Sequence, residues 1–351
     1  MKCLIITSGS SQLVTQLSVL KKRNIDFSNV YLIYTGLQSG SLDVFFNQVS
    51  AQYGFKYIGQ ILFDIYPVKL SKKEFLKYLF TKKFKRLTSQ IEDKYSLLKN
   101  YRNFQLVLIP VRVKVLEDTV LLSYLKPKEI LFIADGVIDV LPSRDLNKLQ
   151  YYYLKNALTR FPIKSKIYSP FFLNKDIATI GKFEKINIVD TLKEVSNIEL
   201  AETFKKLYLN ETISHVIVSQ HYHLHENISL ENDILYYKQV IDYALTHSGN
   251  SKILFKPHPR DVKSKIEKIQ QLADQNVLVV NDDLKSVPIE VFGEYFREHK
   301  TTFLTGNSSA PLYFKKSNNV ISICSEKHLH LALNERIKEF ANKYNIDFIN
   351  L

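Results

Sequence analysis

The chain has 351 residues, of which 45% are hydrophobic and 24% charged, with 10 Gly, 10 Pro and 2 Cys. That balance excludes disordered, collagen-like and low-complexity classes, and two cysteines, Cys3 and Cys324, cannot build a disulfide framework. The formal net charge of +13 fits a polyanionic partner, an anionic membrane surface or an acidic substrate.

Residues 2–7 read as a strand that starts at once, so no signal peptide is expected ahead of it. No apolar run approaches the roughly 18 residues that span a bilayer. An amphipathic helix is predicted over 11–21, a strand over 30–34 and a helix over 41–53. Segment 71–102 then holds ten Lys or Arg against three acids. Much of it is one run, Lys72, Lys73, Lys77, Lys82, Lys83, Lys85 and Arg86, interleaved with Phe75, Leu76, Tyr78, Leu79, Phe80 and Phe84. Such a segment lies on an anionic membrane face or is a solvated helix face, and the pattern leaves both open. Zinc-finger spacing, an RNP-like motif and a basic zipper are all missing, and we expect no nucleic-acid partner.

Short apolar strands over 106–109 and 130–133 and a helix over 144–161 complete the first half. The pattern restarts with strand 185–189, helix 198–207, strand 215–219 and helix 230–246. Strand 253–255, helix 262–273, strands 277–280, 302–304 and 320–323, and a closing helix 331–344 follow. This alternation predicts an α/β fold of two doubly wound domains, 1–175 and 176–351, with the break between 165 and 185. In that architecture ligands sit at the carboxyl ends of strands, in the crevice between the domains.

Four segments carry candidate chemistry, three of them at predicted strand ends. Lys256-Pro257-His258-Pro259-Arg260-Asp261 links strand 253–255 to a helix; its prolines fix the backbone around His258, and Asp261 is placed to cap the helix. Thr305-Gly306-Asn307-Ser308-Ser309-Ala310-Pro311 reads as the opening of another helix, where free N–H groups and two hydroxyls would hold an anion. Glu290, two residues after Pro288, reads on its own as compensation of a helix dipole. Asp135-Gly136 follows strand 130–133, as an Asp-Gly turn or as a carboxylate facing the crevice. Two further stretches have weaker claims. His221, His223 and His225 alternate, which on a strand puts them on one face. We expect one of them to line the donor cleft rather than to hold a metal. Ser8-Gly9-Ser10-Ser11-Gln12 starts a helix without any nucleotide-binding glycine pattern, and is either a phosphate loop or a capped helix start.

Taken together, Asp135-Gly136, then Lys256-x-His258-Pro259, then Pro288-x-Glu290-Val291, then Gly306-x-Ser308-Ser309 with Tyr313-Phe314 resemble the bacterial lipooligosaccharide sialyltransferases and capsular polysialyltransferases. Gln220 resembles a further feature that opens the family's second domain. Ala134 stands where those enzymes carry a first acidic residue, a departure, while the second acid is kept as Asp135. The resemblance implies a GT-B glycosyltransferase that uses CMP-sialic acid and needs no metal or cofactor. Its first domain would bind the acceptor and its second the donor, with the last helix packing back on the first domain. It implies Asp135 as general base and His258 as acid or phosphate stabiliser. Ser308, Ser309 and Gly306 would hold the phosphate, Glu290 the ribose and Lys256 the cytidine side, with Pro257 and Gln220 lining the pocket. The implied acceptor is a glycan of lipooligosaccharide or capsule, and the implied location is cytoplasmic or peripheral on the inner membrane face through 72–86. Two other readings stand beside it: a Kdo, other nonulosonic-acid or CDP-glycerol-type transferase, which uses the same Lys-x-His-Pro loop and Ser pair, and a non-catalytic basic module for anionic lipid or nucleic acid, whose binding would not depend on Asp135 or His258.

Overall fold

The computed structural model describes residues 1–36, 40–62, 101, 103–111, 122, 125, 127–134, 166–170, 182–225 and 227–351. Asp135-Gly136, the helix expected over 144–161 and the basic run 72–86 lie outside the described residues. The chain forms two compact units, Met1–Gln38 with Val49–Thr191, and Ser39–Gln48 with Leu192–Leu351.

The first unit is built on β1 (Cys3–Thr7), β2 (Val30–Gly36), β3 (Lys56–Leu62), β4 (Leu106–Val111), β5 (Glu129–Ala134), β6 (Lys166–Ser169) and β7 (Lys182–Lys185). These strands form one parallel sheet in the order β3-β2-β1-β4-β5-β6-β7. All five residues of β1 are buried, as a parallel strand covered on both faces requires. Helix α1 (Ser10–Lys22) buries Leu13, Val14, Leu17 and Leu20. Just past its end, the Arg23 guanidinium makes a two-pronged bond to the Glu129 carboxylate at 2.9 and 3.0 Å, which ties α1 to the start of β5. Helix α2 (Gly40–Tyr53) follows β2. Segment 166–185 was read as a break; it supplies two edge strands, so the first sheet runs past residue 175. Both are only four residues long, too short for their periodicity to stand out in the sequence.

Helix α3 (Val189–Val195) spans the boundary between the units and starts at Val189, the residue expected to end a strand; α4 (Glu199–Tyr208) follows in the second unit. Its strands are β8 (Ile213–Val218), β9 (Lys252–Lys256), β10 (Val277–Val279), β11 (Thr302–Thr305), β12 (Val320–Cys324) and β13 (Asp347–Asn350). They form a parallel sheet in the order β10-β9-β8-β11-β12-β13. Between them lie α5 (Tyr222–His225), α6 (Leu230–His247), α7 (Lys263–Leu272), α8 (Gly293–Glu298) and α9 (Leu331–Tyr344). The last helix, α9, buries Leu333 and Ile337 in one core with Ile321, Ile323 and Tyr236 of the second unit. Its left-handed Asn345 cap then turns the chain into β13 at the sheet edge.

In both sheets the chain moves outward over three strands and then crosses to the far side of the first. The switch falls between β1 and β4 in one unit and between β8 and β11 in the other. Open α/β sheets bind ligands outside the carboxyl ends of the strands at this point.

Candidate active site

In the second unit the register aligns the carboxyl ends of the central strands, Val218 opposite both Lys256 and Thr305. The loops that follow are therefore neighbours at the switch point. They carry Ser219-Gln220-His221, Pro257-His258-Pro259 and Gly306-Asn307-Ser308-Ser309.

The His-Pro loop is held from inside by Asp261. Its Oδ2 accepts the His258 amide at 2.9 Å and the Ser219 hydroxyl at 2.8 Å. Its Oδ1 accepts from Lys265 Nζ at 3.0 Å. The expected cap role fails for a geometric reason: Val262 is the cap residue of α7, so Asp261 stands one position too early and its carboxylate turns back to the loop. His258 Nδ1 accepts the Arg260 amide at 3.1 Å. With that nitrogen accepting, a neutral imidazole carries its proton on Nε2. The His221 ring packs against the His258 ring, centroids 4.0 Å apart.

Beneath the loop lies a fully buried cation that the sequence reading did not select. Lys265 Nζ is 3.0 Å from Asp261 Oδ1 and from Asp233 Oδ2, and donates to the Gln220 carbonyl at 2.8 Å and the Ser219 hydroxyl at 3.2 Å. It also sits 4.5 Å over the Tyr237 ring. Tyr237 Oη in turn accepts the Gln220 amide at 2.5 Å. Two signals were available in the sequence: Asp261 and Lys265 are four apart across a helix start, and Asp233 falls on the apolar face of α6.

The alternating histidines do not share a strand face. Residues 222–225 form one helical turn, α5, because Tyr222 and Ile228 are drawn into the core and close the segment up. His223 Nδ1 meets Asp233 Oδ2 at 2.6 Å. His223, Asp233 and Asp261 place ligand atoms within 4.8 Å of one another, but the Lys265 ammonium bonds both carboxylates and supplies the positive charge there.

Lys256, expected on the cytidine side, lies behind the loop. It is 4% exposed, and its Nζ donates to the carbonyls of Pro257 at 3.2 Å and Lys285 at 2.5 Å. Burial pulls its pKa down to about 7, against the opposing attraction of Glu290 and Asp261. The same carbonyl bond brings segment 285–290 against the His-Pro loop. Lys285 reinforces it with a 2.7 Å bond to the Asp261 carbonyl. Glu290 is buried in a 3-10 turn, Ile289–Phe292, that starts after Pro288.

The Ser pair leads not into an α-helix but into a 3-10 turn, Ala310–Tyr313, with Pro311 inside it. The Ser308 amide donates to Thr305 Oγ1 at 3.1 Å, and Ser308 Oγ accepts from the Ala310 amide at 3.3 Å. The anion-holding capacity is therefore in the hydroxyls, not in a helix dipole. Gly306 is required here: a Cβ would stand 1.9 Å from the Tyr222 hydroxyl, which bonds Asn307 Oδ1 at 3.0 Å.

The second unit thus brings His258, Ser308, Ser309 and Gln220 to one end of one sheet, with Glu290 and Lys256 tied to the His-Pro loop. It offers an imidazole donor and hydroxyls suited to a phosphate leaving group. Among the described residues, no helix is long and apolar enough to cross a membrane.

Residues 146–327, just over half of the chain, match the family model described as Alpha-2,8-polysialyltransferase (POLYST). No curated protein matches the chain. Among solved structures, S. aureus MnaA with UDP is similar at a TM-score of 0.54 and 12% identity, over 99% of this chain and 89% of that one. Phytolacca americana UGT2, complexed with UDP-2fluoro-glucose and pterostilbene, is similar at a TM-score of 0.49 and 13% identity, over 99% of this chain and 84% of that one. The two Rossmann-like units are of the GT-B type.

Proposed function

Because this chain belongs to the alpha-2,8-polysialyltransferase family, we propose that it moves sialic acid from CMP-sialic acid to a glycan that already carries acidic sugars. The observation that carries the reading is the His-Pro loop. It stands at the carboxyl end of β9, beside the switch point, with Nδ1 of His258 occupied as an acceptor and Nε2 therefore the proton-bearing nitrogen.

In this reaction the bond between the anomeric carbon and the phosphate oxygen breaks, and CMP leaves with the electron pair. The sugar passes through an oxocarbenium-like state. His258 donates a proton or hydrogen bond to the departing phosphate, and the hydroxyls of Ser308 and Ser309 bind its oxygens. Glu290 accepts the ribose hydroxyls. Lys256 acts by bracing the Glu290 segment against the His-Pro loop. Pro257 and Gly306 shape the backbone, and Gln220 holds the neighbouring loop in place. Asp135 of the first unit takes the proton of the attacking hydroxyl, and a single displacement inverts the anomeric carbon. No step calls for a metal or a cofactor. The acceptor we propose belongs to a lipooligosaccharide or capsule glycan, reached at the cytoplasmic membrane face through the basic run 72–86.

The test is incubation with CMP-sialic acid and a panel of galactose- and sialic-acid-terminated acceptors, read by mass spectrometry. Asp135→Asn is expected to lower transfer at least ~100-fold while leaving CMP affinity within about twofold. Near-full turnover of that variant would remove Asp135 from the mechanism.

A further inference from the structure

The loop after β11 carries a hydrogen-bond donor that no step above uses. Asn307 stands between Gly306 and the Ser pair. The Tyr222 hydroxyl, from the α5 turn that follows β8, donates to Asn307 Oδ1 at 3.0 Å. The second unit's switch point falls between β8 and β11, so this one bond joins the loops on its two sides. The Asn307 side chain therefore lies over the crevice in which an open α/β sheet takes its ligand.

A side-chain amide has an acceptor end and a donor end. Tyr222 occupies the acceptor, which turns Nδ2 away from the Tyr222 hydroxyl. Among the described residues Nδ2 has no hydrogen-bond partner, and Asn307 is only half-buried, so the donor end is not sealed in the core.

The surroundings hold the amide in this orientation. Tyr222 is 4% exposed, and its ring packs edge-on against Tyr236, so the hydroxyl is presented from a fixed position. Gly306 makes room for it, since a Cβ there would stand 1.9 Å from the same hydroxyl. An asparagine that met only water would need neither support.

The donor proposed above brings two anionic groups to its reacting carbon, the phosphate and the carboxylate. We infer that Asn307 Nδ2 donates to an anionic oxygen at that carbon, beside the Ser308 and Ser309 hydroxyls, and that Tyr222 is its positioning residue. The identity of the ligand rests on the proposed function; the orientation of the amide does not.

Asn307→Asp is the first variant. It keeps Oδ1 for Tyr222 and replaces the donor group by a negative oxygen of similar size, so the melting temperature is expected to hold. CMP and CMP-sialic acid are titrated by calorimetry into the full chain without acceptor. Asn307→Asp is expected to weaken CMP-sialic acid about 10-fold or more. Asn307→Ala, which adds no charge, then separates the two anions. Equal weakening of CMP and CMP-sialic acid assigns the bond to the phosphate, and weakening of CMP-sialic acid alone assigns it to the carboxylate.

Tyr222→Phe keeps the ring and frees the amide to rotate, and is expected to weaken CMP-sialic acid about threefold. In an Asn307→Ala background the same change is expected to have no effect, whereas a purely structural role of Tyr222 would persist there and overturn the positioning claim. Unchanged binding of CMP-sialic acid by folded Asn307→Asp would overturn the inference alone. Wild type that binds neither nucleotide would overturn the proposed function and this inference with it.

Discussion

Lys265 is the residue on which the geometry of the donor loops turns. One ammonium bonds two carboxylates, from α6 and from the His-Pro loop, and pins the Gln220 carbonyl as well. Removing it takes away the cation between two buried carboxylates and leaves them only the His223, Ser219 and His258 contacts. Lys265→Met is expected to destabilise the protein by about 3–5 kcal/mol in urea denaturation; a loss below 1 kcal/mol would show that the carboxylates find other partners. Lys256 gives a pH signature of opposite origin. Its folded pKa is lowered to about 7, so between about 7 and its ordinary value of 10.5 the unfolded chain binds more protons than the folded one. Stability from this group therefore rises with pH through that window, and below it the full cost of burying the charge remains. The melting temperature of wild type relative to Lys256→Met is expected to rise from pH 7 to pH 10. A flat difference would mean that Lys256 titrates as an ordinary lysine.

At the scale of elements, the site depends on close approach between the β11 loop and α5. Gly306→Ala forces a methyl onto the Tyr222 hydroxyl and is expected to cost about 1–3 kcal/mol. Adding Tyr222→Phe removes the obstructing oxygen, so the double variant is expected to be more stable than the sum of the two single losses predicts. Chemical denaturation of the four proteins reads this cycle directly. The same elements show what the sequence could and could not disclose. Strands β8, β9, β11 and β12 were legible because buried parallel strands are continuous apolar runs bounded by polar turns. The His-Pro and Ser-pair loops were placed correctly at the ends of β9 and β11 for the same reason. The edge strands β6 and β7 were not, being four residues each, nor was β3, whose residues are mostly half-buried. The histidine alternation misled because period two marks a strand only where the backbone is extended, and two core residues closed this segment into a turn. Lys265 was hidden by its type: a lysine in a polar helix reads as surface until the two acids around it are seen in space.

At the scale of the whole chain, both units repeat one topology, three strands outward and then a return across the first. No sequence repeat announces this. It follows from the same strand and helix alternation being wound twice, each time with a polar loop left at the switch point. One switch point holds the imidazole and hydroxyl groups suited to a nucleotide's phosphate; the other holds the turn from β1 into α1. The account as a whole turns on one donor and one imidazole. The most direct test measures CMP release by wild type and His258→Ala from CMP-sialic acid, with CMP-Kdo and CDP-glycerol as competing donors. The account predicts turnover with CMP-sialic acid alone, lowered ~100-fold or more in His258→Ala. Preferred cleavage of either other donor, or full activity without the imidazole, would contradict it.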